Sequence, residues 1–215
     1  MDMLDSRSLR YSDCFMQKFA MPGTVRYRLT TPAGACLPIE EEGAYTIEVA
    51  TGAGRPEGEG RQHNVLVGRK DGRLVADPPQ LRIEAGDAVL WHAPDAAIIG
   101  WSVQGEGDGG AFSSAALRRE AVYTHAFGTP GEYKWVDANE GRVSGTVIVR
   151  MLDSRDAEQC RKWLAALEEG AMVEIDGDTV KPEALEIVAG QTVFWAVHKA
   201  GGITITDARL AGGEN

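Results

Sequence analysis

From Arg61 to Arg150 apolar and polar residues alternate in short runs: Asn64-Val65-Leu66-Val67, Leu81-Arg82-Ile83, Ala88-Val89-Leu90-Trp91, Ile99 to Val103, Tyr123 to Phe127, Glu132 to Trp135 and Thr146 to Val149. A period of two places one set of side chains on one face, the signature of a half-buried strand. Gly86-Asp87, Gly105 to Gly110 and Thr129-Pro130-Gly131 punctuate the runs as turns, because glycine and proline supply the backbone angles that turns need. Many short strands at this spacing predict an all-β sandwich. One segment breaks the period. After Ser154, a candidate cap, Asp156 and Glu158 fall in a first helical turn, Ala157, Cys160, Leu164 and Leu167 share one face, and Gly170 stops the run. Residues 151–171 are therefore expected to hold a connecting helix.

The pattern also recurs. Leu9-Arg10 through Phe19, Pro22-Gly23 and Tyr27 matches Leu117-Arg118 through Phe127, Pro130-Gly131 and Trp135 at a constant offset of 108 residues. Pro182, Leu185, Ile187, Ala189-Gly190, Val193 and Trp195 match Pro78, Leu81, Ile83, Ala85-Gly86, Val89 and Trp91 at an offset of 104. Internal repeats outrank local motifs in fixing architecture. The expected division is a continuous copy over 61–150, a second copy made of 1–50 and 172–215, and a connecting helix at 151–171. The second copy would close within one chain as a circular permutation, or between chains by strand exchange. Thr51 to Gly60, rich in glycine and charge, reads as the linker into the continuous copy.

Composition narrows the function. The 215 residues, 43% of them hydrophobic, are enough for two small cores. A net charge of −10 opposes phosphate binding, so no nucleic-acid partner is expected. Met1 to Tyr11 lacks the apolar core of an export signal, and no run approaches membrane-spanning length; no membrane insertion and a cytoplasmic location are expected. Cys14, Cys36 and Cys160 are odd in number with no Cys-x-x-Cys spacing, which predicts reduced thiols, with Cys160 buried, rather than a disulfide framework or zinc site.

The proline, hydrophobic strand, Ala-Gly-Asp turn and Val-x-Trp of Pro78 to Trp91 resemble the cupredoxins, the blue-copper electron carriers. So do Tyr123 to Phe127 followed by Pro130-Gly131-Glu132-Tyr133-Lys134-Trp135, and Gly145-Thr146-Val147-Ile148-Val149. The resemblance extends over both copies and implies two cupredoxin-like Greek-key β-sandwiches joined by one α-helix. It also implies a copper site of Cys, two His and Met, ligands whose softness suits that metal. On the loop from Trp135 to Gly145, Asp137 stands at the Cys position, Glu140 at the His and Val143 at the Met, with Ile99 near the upstream His. In the second copy Leu29 and Ile203 take the Cys and upstream His positions, and Cys36 follows Leu29 by seven residues. No cofactor is therefore expected, copper included.

Asp137 and Glu140 remain candidate oxygen ligands for a hard cation, with His63 and His125 arriving from other strands. The competing reading is a solvated acidic loop, since charged residues are mostly exposed. His92 and His198, close behind Trp91 and Trp195, read as polar turn residues. Trp91, Trp135 and Trp195 alternate with polar neighbours and belong to the core. Nothing in the chain assembles a catalytic constellation. The expected function is a non-enzymatic binding or assembly subunit that self-associates. The alternative is a carrier of a metal or an unidentified small ligand, including electron transfer through a non-standard copper site.

Overall fold

The computed structural model describes residues 3–31, 45–52, 59–152, 155–199 and 201–211. The strands, in chain order, are β1 (Asp13–Lys18), β2 (Gly23–Thr30), β3 (Tyr45–Ala50), β4 (Gln62–Lys70), β5 (Arg73–Asp77), β6 (Gln80–Glu84), β7 (Ala88–His92), β8 (Ser102–Gly107), β9 (Gly110–Ser113) and β10 (Leu117–Arg118). They continue with β11 (Ala121–Ala126), β12 (Gly131–Asp137), β13 (Ser144–Arg150), β14 (Ala171–Asp176), β15 (Thr179–Lys181), β16 (Ala184–Val188), β17 (Thr192–Lys199), β18 (Gly201–Ile203) and β19 (Ile205–Asp207). Helix α1 (Ala157–Glu169) separates β13 from β14, and a single turn, α2 (Ala208–Ala211), follows β19.

The fold is all-β, with packed sheets. An eight-stranded sheet runs β15-β14-β17-β11-β1-β7-β4-β5. A five-stranded sheet, β6-β3-β2-β8-β9, belongs with its β5 end, and a four-stranded sheet, β16-β13-β12-β19, with its β15 end. Aromatic rings join the layers. Tyr27 of β2 meets Trp91 of β7 at 5.4 Å between ring centroids, and Trp135 of β12 meets Trp195 of β17 at 6.0 Å. Trp91, Trp101, Trp135 and Trp195 are almost fully buried, and each contributes on the order of 2–3 kcal/mol of apolar burial.

This pairing departs from the division expected from the repeat. A continuous copy over 61–150 would set β11 beside β7, β12 beside β8 and β13 beside β6. Instead β7 pairs with β1, β8 with β2 and β6 with β3, while β11 pairs with β17, β12 with β19 and β13 with β16. The first half of the chain, β1–β9, thus closes on itself, and the second half, β11–β19, does the same. A cyclic order of matching segments reads identically from either starting point, which is why sequence correspondence alone selected the wrong partner for each segment. The two halves join through antiparallel β1 and β11, with Phe15 opposite Tyr123 at the centre, Asp13 opposite His125 and Gln17 opposite Ala121.

The halves are also laced at their ends. Asp5 bridges to Thr206, the Ser6 N–H donates to the Ile205 carbonyl at 2.8 Å, and the Asp207 N–H donates to the Leu4 carbonyl at 2.9 Å. Leu4 is consequently buried with the second half, whereas Phe112, 108 residues on, lies in β9 beside β8 of the first half. The N-terminal segment and β19 near the C-terminus meet in one chain.

Other local differences have simple causes. Within Gly105 to Gly110 the turn is confined to Asp108 and Gly109, and the glycines on either side belong to the hairpin strands β8 and β9. Gly105 is required there because a Cβ would fall 2.5 Å from the Phe112 ring. Ile99 lies outside β8 and is 65% exposed. The cap of α1 is Asp156, whose carboxylate accepts the Glu158 and Gln159 N–H groups, satisfying donors that the first turn leaves open. Those same hydrogen bonds, Gln159 first, hold the Asp156 carboxyl below its usual range. Ser154 lies outside the described residues. Gly170 ends the helix at φ 68°, in the left-handed region. Cys160 is half-buried rather than buried, and Cys36 lies outside the described residues. No described helix is long and apolar enough to cross a membrane.

Candidate functional site

The loop after β12 brings Asp137 and Glu140 together only as parts of a turn. Asp137 is 2% exposed. Its Oδ1 accepts the Asn139 and Thr204 N–H groups, both at 3.0 Å, and its Oδ2 accepts the Glu140 N–H at 3.3 Å. A buried carboxylate needs such donors to offset desolvation. Asp137 therefore ties the loop to the start of β19 and is not the solvated acid that the loop reading implied. Glu140 is exposed and pairs with Arg142. Val143 is buried, and its carbonyl accepts the Asp137 N–H at 2.8 Å.

His125 lies elsewhere, at the join of the halves. In β11 the inward set is Ala121, Tyr123 and His125, and in β1 it is Asp13, Phe15 and Gln17, all buried. The fully buried Asp13 carboxylate accepts from His125 Nδ1 at 2.6 Å and from the Tyr123 hydroxyl at 2.9 Å through Oδ1, and from the Arg10 N–H at 2.8 Å through Oδ2. Because a carboxylate only accepts, His125 Nδ1 is the donor of this hydrogen bond. Its Nε2 is buried without a hydrogen-bond partner among the described residues, and the ring packs against Phe127 at 4.6 Å and 74°. Burial, followed by the charge of Asp13, pushes the Tyr123 phenol well above its ordinary range. Tyr123 also accepts the Asp5 N–H at 3.2 Å, so the network reaches the N-terminal lacing segment. On the outer side of β1, burial pushes the Cys14 thiol up, which makes it less nucleophilic.

His63 stands on β4 in the first half. Its Nε2 is 2.8 Å from Oδ2 of Asp87, which is 1% exposed. Asp87 also accepts the Arg61 N–H at 2.8 Å and the Glu84 N–H at 3.1 Å, closing the turn between β6 and β7. A shallow surface depression of about 270 Å³ is lined here by Arg61, His63, Arg82, Glu84 and Asp87 among others. A second one, of about 290 Å³, is lined by Glu174, Asp176, Thr179, Lys181 and His198. His92 and His198 are strand residues of β7 and β17, not turn residues.

The four metal candidates thus occupy three separate places: Asp137 and Glu140 in one loop, His125 in the central join and His63 at the β6–β7 turn. Among the described residues no group of three or more His, Cys, Asp or Glu is arranged to hold a metal ion. The partners Asp13, Tyr123 and Asp87 were missed. Their signal was nevertheless present, since Asp13 and His125 are polar residues at inward positions of period-two strands, where only a paired group is tolerated. A comparison with family models, curated proteins and solved structures finds no match to this chain.

Proposed function

We propose that this chain is a non-enzymatic, cupredoxin-like binding and assembly subunit that has lost type 1 copper and builds a homo-oligomer. The observation that carries the assembly reading is the outer face of the eight-stranded sheet. Met172 and Leu66 on its flanks are 51% and 39% exposed, and Met16, Leu90, Val122 and Phe194 between them keep part of their surface in solvent. Apolar side chains left partly exposed on one sheet face are a feature of interaction sites.

The loss of copper is supported by what replaces its ligands. Asp137, at the position that the resemblance gives to the thiolate, commits both oxygens to backbone donors. Val143 and Ile203 are buried apolar side chains, Leu29 is half-buried and Ile99 is largely exposed. Soft copper coordination has no equivalent among these groups. The carrier reading is less well supported, because Asp137, Glu140, His63 and His125 would have to converge and each is held by a different neighbour.

Light scattering over about a hundredfold concentration range tests this, because association follows mass action. The expected result is a mass at least twice the 23.1 kDa of the chain at the upper concentrations. A constant monomer mass contradicts it.

A further inference from the structure

We infer that Tyr123 is a redox-active residue: it gives up one electron, through Trp195 and Trp135, to a high-potential one-electron oxidant at the protein surface, and its phenolic proton passes to Asp13. This activity is separate from self-association and does not depend on it.

The two halves supply the comparison that isolates it. Phe15 and Tyr123 are equivalent positions, 108 residues apart, and face each other across the join. Phe15 stacks on Trp91 at 5.6 Å and 27°, and Tyr123 stacks on Trp195 at 5.5 Å and 27°. The packing is the same, so a phenylalanine satisfies it and the core does not need the hydroxyl. Only one end of the join carries the groups that meet this hydroxyl: Asp13 and His125 stand where the other end has Ala121 and Gln17. Burying a carboxylate costs stability that the Ala121 and Gln17 end avoids.

The chemistry follows from one hydrogen bond. A phenol that loses an electron becomes a strong acid, so its oxidation goes forward where a base already holds the proton. The Tyr123 hydroxyl donates to Asp13 Oδ1 at 2.9 Å, and both residues are fully buried. Oxidation breaks the phenolic O–H bond and forms an O–H bond on Asp13. Phenol and carboxylate become a neutral phenoxyl radical and a neutral carboxylic acid, and one electron leaves. The step removes the buried negative charge of Asp13 and leaves no positive charge on the ring, which suits a site shielded from water. His125 Nδ1 at 2.6 Å and the Arg10 N–H at 2.8 Å hold Asp13 in place. Return of one electron reverses both transfers.

The electron also has a route out. Trp195 lies edge-on to Trp135 at 6.0 Å, and the Trp135 Nε1 edge lies against Gly145, where a Cβ would fall only 2.8 Å away. Gly145 is part-exposed on β13 and has no side chain to cover the ring. Indoles and phenols are oxidised at similar potentials, so the two rings act as relays and divide one long transfer into short ones.

The test oxidises the whole chain with photogenerated tris(bipyridine)ruthenium(III) and follows tyrosyl radicals by electron paramagnetic resonance, using ring-deuterated tyrosine to identify them. Radicals on exposed Tyr11 decay by coupling between molecules. A persistent tyrosyl signal is expected beside them, formed more slowly in deuterium oxide and lost in Tyr123→Phe, which keeps the ring found at Phe15. Asp13→Asn leaves an oxygen acceptor that cannot take the proton, and is expected to slow formation of that signal roughly a hundredfold or more. The deuterium oxide comparison uses the unaltered chain and decides the proton step even if Asp13→Asn disturbs the fold. A persistent signal that survives Tyr123→Phe, or the absence of any persistent tyrosyl signal, overturns the inference. Formation at the same rate in deuterium oxide overturns the transfer to Asp13.

Discussion

The inward positions of β1 and β11 occupy equivalent places in the two halves, yet they are filled in different ways. On one side of the central Phe15–Tyr123 pair stand Asp13 and His125, a buried charged network. On the other side stand Gln17 and Ala121, where the Gln17 amide donates to the Lys18 and Arg119 carbonyls at 3.0 and 3.2 Å. The turns that close the two halves repeat the contrast. Asp87 holds Arg61, Glu84 and His63, whereas Gln191, 104 residues on, accepts from the Val188 N–H at 3.1 Å and donates to the Gly170 carbonyl at 3.0 Å. One backbone plan is therefore compatible with either a charged or a neutral closing group. What the plan demands of these closing carboxylate and amide groups is a hydrogen-bond partner, not a charge.

The largest effect expected from breaking this contrast is at Asp13. Asp13→Ala leaves the Tyr123 hydroxyl, His125 Nδ1 and the Arg10 N–H without their acceptor, and is expected to cost about 3–5 kcal/mol in denaturant unfolding. Adding Tyr123→Phe and His125→Gln makes this side of the join resemble the Gln17 side. That combination is expected to recover more than half of the loss, and a cost equal to or above that of the single change would refute the equivalence of the two sides. Next is the lacing. Leu4→Ala, at a fully buried site contributed to the second half, is expected to cost about 2–4 kcal/mol. Hydrogen exchange should quicken at Ser6 and Asp207 before it does at β2 or β3. Asp87→Asn keeps one acceptor but removes the charge beside His63, and is expected to cost about 1–2 kcal/mol; Gln191→Glu in the other half provides the reciprocal comparison.

The smallest effect is at alkaline pH. Burial is the main cause that pushes the Tyr27 phenol up to about 12, against about 10 in an unfolded chain. A phenol that holds its proton more tightly when folded contributes stability that is complete below about pH 10 and is lost as the pH rises toward 12. Tyr123 shifts in the same direction. The position corresponding to Tyr27 in the second half is Trp135, which does not titrate. Absorbance titration should therefore show Tyr27 ionising only as the fold loosens; ionisation of Tyr27 near pH 10 in an intact fold would contradict its burial.

Much of this was legible in the chain. The alternation of Asn64 to Val67 and Ala88 to Trp91 located β4 and β7, and Gly170 marked the end of α1 to the residue. Period-two patterning specifies which face is buried, because a one-residue slip would expose every apolar side chain. The choice of strand partners was not legible. Segments that match at offsets of 108 and 104 pair equally well in either division, and the choice between them falls to contacts such as Asp13–His125 and Leu4–Asp207. Gly105 misled for a related reason: its glycine reflects the Phe112 ring rather than a turn. At the candidate site the residue types were legible as candidate ligands or as a solvated loop, but not that Asp137 binds the Thr204 N–H and His63 binds Asp87, partners distant in sequence.

The central claim is that the two halves are closed and laced within one chain. Asp5 and Thr206 are antiparallel partners, and cross-strand pairs of this kind approach closely enough for a disulfide. Asp5→Cys and Thr206→Cys would be combined in a background with Cys14, Cys36 and Cys160 changed to serine, then oxidised in dilute solution. A cross-link within each chain, with monomer mass under denaturing, non-reducing conditions, is the predicted result; covalent dimers or ladders would mean that the N-terminal segment is donated to another molecule.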